Sequence, residues 1–569
     1  MKKRLFAIAL TALLAGPAAT ATQPAAPAYS VLIRGGTIYD GSGGAPYIGD
    51  LAIKGDRIAC VGSCPGRAAR VIDGSGKAVS PGFINMLSWA NESLIADGRG
   101  MSDTYQGVTL EVMGEGNSMG PWNAEMKRLE LKRQSDIRYP IRWTTLGQYL
   151  DWLTRRGVTP NVASFVGATT VRVHELGERD VDPTPAQLER MRALVRQAMR
   201  EGAVGVGSSL IYAPANFAET PELTALVSEA AKCGGMYISH IRDEGPKLLE
   251  AIDELIDISR QSGAPAEIYH FKQSGRENWG KIDAAIARVN AARAQGLRIT
   301  ADMYTYPASS TGFDAAFPLW IQDGGLEAWV QRLKDPATRA RAIAWMRGPD
   351  ATENTKLVVQ EPDKVILVGF KTAKLKPLTG KTLGEVARER GKPPEEVAAD
   401  LIAEDGTRIQ VVYFGMSEDN VRREVALPWM SFGADADSQA PEGVFLKSST
   451  HPRAYGNVAR LLGHYVRDEK AASLPDAIRR LTSLPATNLG LKQRGSLKPG
   501  IYADVVVFDP ATIRDTATFA RPQQLATGVR DVFVNGVQVL RDGRHTGARP
   551  GRFVRGPGWT GWPGGGACK

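Results

Sequence analysis

The middle of the chain switches repeatedly between two spacings of apolar residues. Leu188, Met191, Val195 and Ala198 recur at helical spacing behind Thr184-Pro185-Ala186-Gln187, a capping box with proline at the first helical position. An apolar strand, Val204 to Ser208, comes next. The pattern then predicts a helix over 219–233, a strand from Met236 to His240, a helix over 244–262, a strand from Ala266 to Lys272, a helix over 279–295 and a strand from Ile299 to Tyr304. Apolar strands alternating with helices predict a parallel sheet covered on both faces. The alternation fills residues 81–490, and no glycine-rich dinucleotide fingerprint follows the first strand. That combination predicts an α/β fold, a closed (β/α)8 TIM barrel rather than an open sheet. Residues 313–428 are less regular and are expected to form an insertion over one end of it.

The two ends of the chain have another texture. Residues 30–80 and 500–540 carry short apolar-polar alternations punctuated by glycine, such as Leu51-Ala52-Ile53 and Val505-Val506-Val507-Phe508. They predict a small β-domain built from both termini, residues 22–80 and 491–569, with the Gly- and Pro-rich stretch after 550 as an extended wrap.

Composition adds little beyond exclusion. With 43% hydrophobic and 23% charged residues, the 569-residue chain is an ordinary globular mixture. Its net charge of +9 forms no basic stripe interleaved with aromatics, so nucleic acid is not expected as a partner. Lys2 to Arg4, the apolar run Leu5 to Ala15 and Ala19-Thr20-Ala21 read as a signal peptide over 1–21, cut after Ala21. An exported, periplasmic protein without a membrane anchor in its mature form is expected. Cys60 and Cys64 form either a disulfide across a tight turn or two unpaired thiols on adjacent strands, and Cys233 reads as a buried apolar filler.

In a parallel barrel, reactive groups collect at the C-terminal ends of strands. Here the strand at 236–240 ends on His240, that at 266–270 on His270, that at 108–115 on Glu115 and that at 429–435 on Asp435, with Asp437 beside it as a rival. The chain has only six histidines, and two of them close successive strands. Two imidazoles and a carboxylate suit a catalytic zinc with one open position.

Several segments carry a family resemblance. Pro81-Gly82-Phe83-Ile84-Asn85 and the stretch Ser496 to Phe508 resemble the two ends of the amidohydrolase superfamily. Ser239-His240-Ile241-Arg242-Asp243-Glu244, Tyr304-Thr305-Tyr306-Pro307 and His451-Pro452-Arg453 are similar to its D-aminoacylase branch, the N-acyl-D-amino-acid deacylases. The resemblance spans about residues 30–555. It implies zinc ligation by His240 and His270, catalysis by Asp435, and substrate contacts from Lys272, Tyr304, Ser310 and Arg453, with Arg453 and Lys272 on the substrate carboxylate.

The departures shape the expectation. Where the family has His-x-His after the first strand, this chain has Leu87 and Trp89, and where it has a further histidine, Ala168. Its bridging cysteine falls in a turn where Glu115 is the only metal-capable side chain, a set similar to the Glu and two His of N-acetylglucosamine-phosphate deacetylases. A single Zn2+ per chain on Glu115, His240 and His270 is therefore expected, although manganese or iron would also suit the set. The expected reaction is hydrolysis of a linear amide in a small N-acyl amino acid or dipeptide-like substrate, with Asp435 as general base. A different amide (a dipeptide, a cyclic amide or a cell-wall fragment) and a non-catalytic binding protein remain as alternatives.

Overall fold

The computed structural model describes residues 28–568 together with Met1, so the leader expected over 1–21 lies outside the described residues. Eight strands run parallel in the order of the chain: Phe83–Asn85, Val108–Met113, Asn161–Ser164 continued by Val166–Gly167, Gly205–Ser209, Met236–His240, Ala266–Ile268, Ile299–Met303 and Met430–Phe432. The last returns to the first. Met86 N donates to Phe432 O at 3.1 Å, Asp435 N to Leu87 O at 2.9 Å, and Ser88 pairs with Ala436 in parallel. The sheet therefore closes into a barrel. Ile84, Leu87, Leu110, Val112, Phe165 and Ile238 belong to the small apolar cluster that fills it. The outer helices pack on the larger core, as in Pro185–Glu201, which opens on the Thr184/Gln187 capping box.

Several strands end earlier than the apolar pattern predicts. The strand expected to run through Lys272 stops at Ile268, and the one expected to reach Asp435 stops at Phe432. His270 (φ 35°) and Asp435 (φ 48°) both sit in the left-handed region that side chains with a Cβ avoid. Each is the residue whose side chain is turned into the barrel mouth, and non-glycine residues in this region concentrate at functional sites. The helix expected from 244 starts at Leu248, because Asp243 Oδ1 accepts from Gly245 N and Lys247 N and holds a loop there.

Two further layers frame the barrel. A nine-stranded sheet interleaves N-terminal strands, among them Tyr29–Ile38 and Ala78–Pro81, with C-terminal ones, among them Val505–Phe508 and Val529–Val534. Between the seventh and eighth barrel strands, Ser309–Gly312, Gln410–Tyr413 and Val365–Leu367 form an antiparallel sheet that packs with helices around Phe313, Leu333, Leu367 and Leu401. That insertion brings Ser310 and Arg408 to the barrel mouth.

The C-terminal tail runs along the opposite face. Val162 N donates to Arg552 O, Val554 N to Val162 O and Gly556 N to Gly202 O. A Cβ on Gly551 would meet Pro160 O at 2.0 Å, so only glycine allows so close an approach. The tail ends in a disulfide between Cys568 and Cys233, which corrects the expectation that Cys233 is an unpaired filler. Cys60 and Cys64 are also bonded, which decides between the two readings of that pair. No helix among the described residues is long and apolar enough to cross a membrane.

Candidate metal centre and active site

Glu115 lies two residues beyond the second barrel strand and is 3% exposed. Its Oε1 is 3.1 Å from His240 Nδ1 and 3.1 Å from His270 Nε2. The two imidazoles stand edge to face with centroids 4.3 Å apart. One donor atom from each of the three lies within 4.8 Å of the others, and all three residues are buried. In a tetrahedral zinc site with bonds of about 2.0–2.1 Å, neighbouring donors are about 3.3 Å apart. The two Glu115–imidazole spacings are close to that edge, and the chemistry of the donor set fits one zinc ion.

The charges around these donors are unusually dense. Burial pushes Glu115 up, but the hydrogen bonds to both imidazoles outweigh it and hold the carboxyl well below the usual range. Burial and Lys272 push His270 down, yet Glu244 and Glu115 overcome them and raise it to about 10. His240 is lowered, chiefly by burial. A ligating imidazole must be neutral at its donor nitrogen, so a divalent ion bound here displaces any proton held there.

Glu244 has no role in the sequence reading, although it lies in the quoted His240 segment. It faces both imidazoles, with Oε1 3.0 Å from His270 Nδ1 and Oε2 3.6 Å from His240 Nε2. Its spacing of four residues from His240 was the available signal. A carboxylate behind a ligating imidazole fixes ring orientation and raises basicity.

Asp435 lines the same mouth. Its Oδ2 is paired with Arg453 Nη2 at 2.8 Å, and burial raises its pKa against the pull of Arg453. Asp437, the rival carboxylate, makes neither contact; burial raises it to about 6. Trp89 Nε1 donates to Glu115 Oε2 at 3.0 Å and to Asp435 Oδ1 at 3.1 Å. Leu87 is wholly buried inside the barrel. Neither side chain carries a metal donor, so a second metal on these two positions does not fit.

Trp89, Glu115, His240, His270, Asp435 and Arg453 share one cavity of about 880 Å3, with Ser310 on its wall. Arg453 is 2% exposed, stacks 4.3 Å from the Tyr304 ring centroid and leaves Nε and Nη1 without partners. The Ser310 side chain donates to Val411 O, while its carbonyl accepts from Arg453 Nη2 at 3.2 Å. Tyr304 is buried, and its hydroxyl faces Met416 Sδ. Lys272, expected beside Arg453 on a substrate carboxylate, is turned instead to Glu244 and to His270 Nδ1. The buried Glu244 carboxylate draws it there, since a charge out of water requires an opposite one.

A closed parallel barrel with a Glu-His-His donor set, and an aspartate on the strand that closes it, defines a metal-dependent hydrolase of the amidohydrolase type. The chain belongs to the amidohydrolase family, in its D-aminoacylase branch: the sequence profile described as "Amidohydrolase family" matches residues 435–540, and full-length relatives agree. The D-aminoacylase of Alcaligenes xylosoxydans xylosoxydans is 31% identical over 532 residues, 92% of this chain and 97% of the relative. The N-acyl-D-glutamate deacylase of Bordetella bronchiseptica, solved with zinc and a phosphonate mimic of the tetrahedral intermediate, superposes with a TM-score of 0.75 at 29% identity. It covers 93% of this chain and 99% of its own. A D-aminoacylase studied for its binuclear centre, where one metal activates and the second attenuates, gives a TM-score of 0.76 at 30% identity, covering 93% of this chain and 100% of its own.

Proposed function

We propose that this chain hydrolyses the linear amide bond of an N-acyl-D-amino acid, using one zinc ion held by Glu115, His240 and His270. The observation that carries this reading is the cluster of three buried donors in the cavity that Asp435 also lines, with the Trp89 N–H shared between Glu115 and Asp435. The relatives named above act on such substrates by their names, which supports the same class here.

The chemistry a bound zinc supplies is Lewis acidity towards the amide carbonyl and the attacking water. Asp435 accepts the proton of that water and returns it to the nitrogen of the departing amino acid. Arg453 binds the substrate carboxylate through Nε and Nη1, which have no partner in the protein. Holding that end fixes the amide between Asp435 and the donor set. Glu244 and Lys272 keep His270 oriented from behind.

The test is a zinc determination joined to a substrate panel. About one zinc per chain, with N-acyl-D-amino acids hydrolysed and their L-enantiomers left intact, is the expected result. No zinc after incubation with the metal, and no hydrolysis of any amide in the panel, would leave a binding protein instead. We also propose that the protein is exported to the periplasm; its two disulfides support an oxidising compartment. Detection of the chain in a periplasmic extract, shortened at its N-terminus, checks this.

A further inference from the structure

Among the described residues, Trp89 is the only tryptophan whose indole N–H is donated to a carboxylate, and it is shared between two. One is the second oxygen of the metal-side Glu115, the other an oxygen of Asp435. Two like charges brought this close repel, and Glu115 is one of the groups that push the Asp435 carboxyl up. Something must hold them together. In a binuclear centre a second cation can do so. Here Arg453 pairs with Asp435 alone and the imidazoles with Glu115 alone, and among the described residues the Trp89 indole is the side chain hydrogen-bonded to both carboxylates.

The backbone on either side of this contact is paired. Trp89 N donates to Ala436 O at 3.0 Å, and Asp435 N donates to Leu87 O at 2.9 Å. The segments that carry Trp89 and Asp435 are thus paired by two backbone hydrogen bonds that continue the closure of the barrel. Arg453 fixes Oδ2 of Asp435, so Trp89 on Oδ1 decides where the carboxylate points.

We infer that the Trp89 indole N–H is a positioning residue: it holds Asp435 beside Glu115 with a neutral donor in place of a second cation, and so restricts the centre to one metal. The inference rests on the hydrolase reading above. It makes this chain a one-metal enzyme by construction, whereas the binuclear D-aminoacylase is attenuated by its second metal.

Two replacements isolate the N–H. Trp89→Phe keeps an aromatic ring, and Trp89→benzothienylalanine keeps the whole bicyclic shape with sulfur in place of N–H. Each is purified with zinc, and kcat, KM, zinc per chain and zinc affinity by calorimetric titration are measured. For both, kcat is expected to fall about 10- to 100-fold with KM changed less than about twofold, since the lost contact acts on the base and not on the substrate. Zinc affinity should weaken about 10-fold, as when a ligand loses its supporting hydrogen bond. The double variant Leu87→His/Trp89→His should bind two zinc ions where the wild type binds one. An isostere that keeps wild-type kcat and zinc affinity overturns the positioning role. A double variant that still binds one zinc overturns the restriction to one metal. Both results are read against a zinc-loaded, active wild type. A wild type without zinc or activity would instead remove the hydrolase reading itself.

Discussion

Arg453 and Asp435 form an ion pair of 2.8 Å that joins the substrate end of the cavity to its base. The guanidinium gives one nitrogen to Asp435 and keeps two without partners, although it is nearly wholly buried. A buried cation with unsatisfied donors is costly, and a substrate carboxylate is the group that relieves it.

Replacing Arg453 should therefore damage both binding and chemistry. Arg453→Lys keeps the charge and loses the planar fork. KM for an N-acyl-D-amino acid is expected to rise about 10- to 100-fold, with a smaller fall in kcat. Converting the substrate carboxylate to an amide should cost the wild type about as much and cost the variant little further, because the two changes remove the same interaction. Steady-state kinetics on the four combinations check this.

Asp435→Asn preserves the shape of the side chain and removes its capacity to take a proton. Loss of a general base costs about 100- to 10,000-fold in kcat. Asp435 is not among the donors that converge on the metal position, so zinc per chain should stay at one. Activity loss accompanied by zinc loss would place Asp435 among the ligands.

The covalent link from Cys233 to Cys568 spans 335 residues of sequence and pins the tail to the closed end of the barrel. Such long closures stabilise by about 2–5 kcal/mol. Alkylation should find no free thiol before reduction and four after it. The Cys568→Ser variant should melt several degrees below the wild type, with kcat unchanged because the bond lies away from the cavity.

Glu353 is 3% exposed, its Oε1 lacks a partner, and burial, with Asp243 nearby, raises it to about 8. A carboxyl raised in the folded state favours folding while it is protonated. Its contribution is complete below its ordinary range and is lost as pH climbs through about 8. Glu353→Gln cannot ionise. Its melting temperature should gain on the wild type as pH rises from 5 to 9, and a constant difference across that window would show that Glu353 is ionised throughout.

Much of this arrangement was legible in the sequence because barrels place their chemistry at strand ends. His240 ends a strand of regular alternation, and Glu115, His270 and Asp435 follow theirs within a few residues. The strands were read too long at His270 and Asp435, because a left-handed residue leaves no trace in an apolar-polar pattern. Glu244 was concealed by a helical reading that began four residues too early, where Asp243 holds a loop instead. The bond from Cys233 to Cys568 had no local signal, since it exists only when the tail has been led around the barrel by backbone hydrogen bonds. The turn of Lys272 towards Glu244 likewise depends on charges drawn from separate strands.

Barrel closure has one more consequence. Glu115, His240 and His270 all precede residue 271, whereas Asp435 reaches the mouth only when its backbone docks on Leu87. The base is thus joined to the donor cup through a backbone pairing between Leu87 and Asp435. A change that loosens that pairing should lower turnover more than zinc content, because none of the three donors lies on the closing strand.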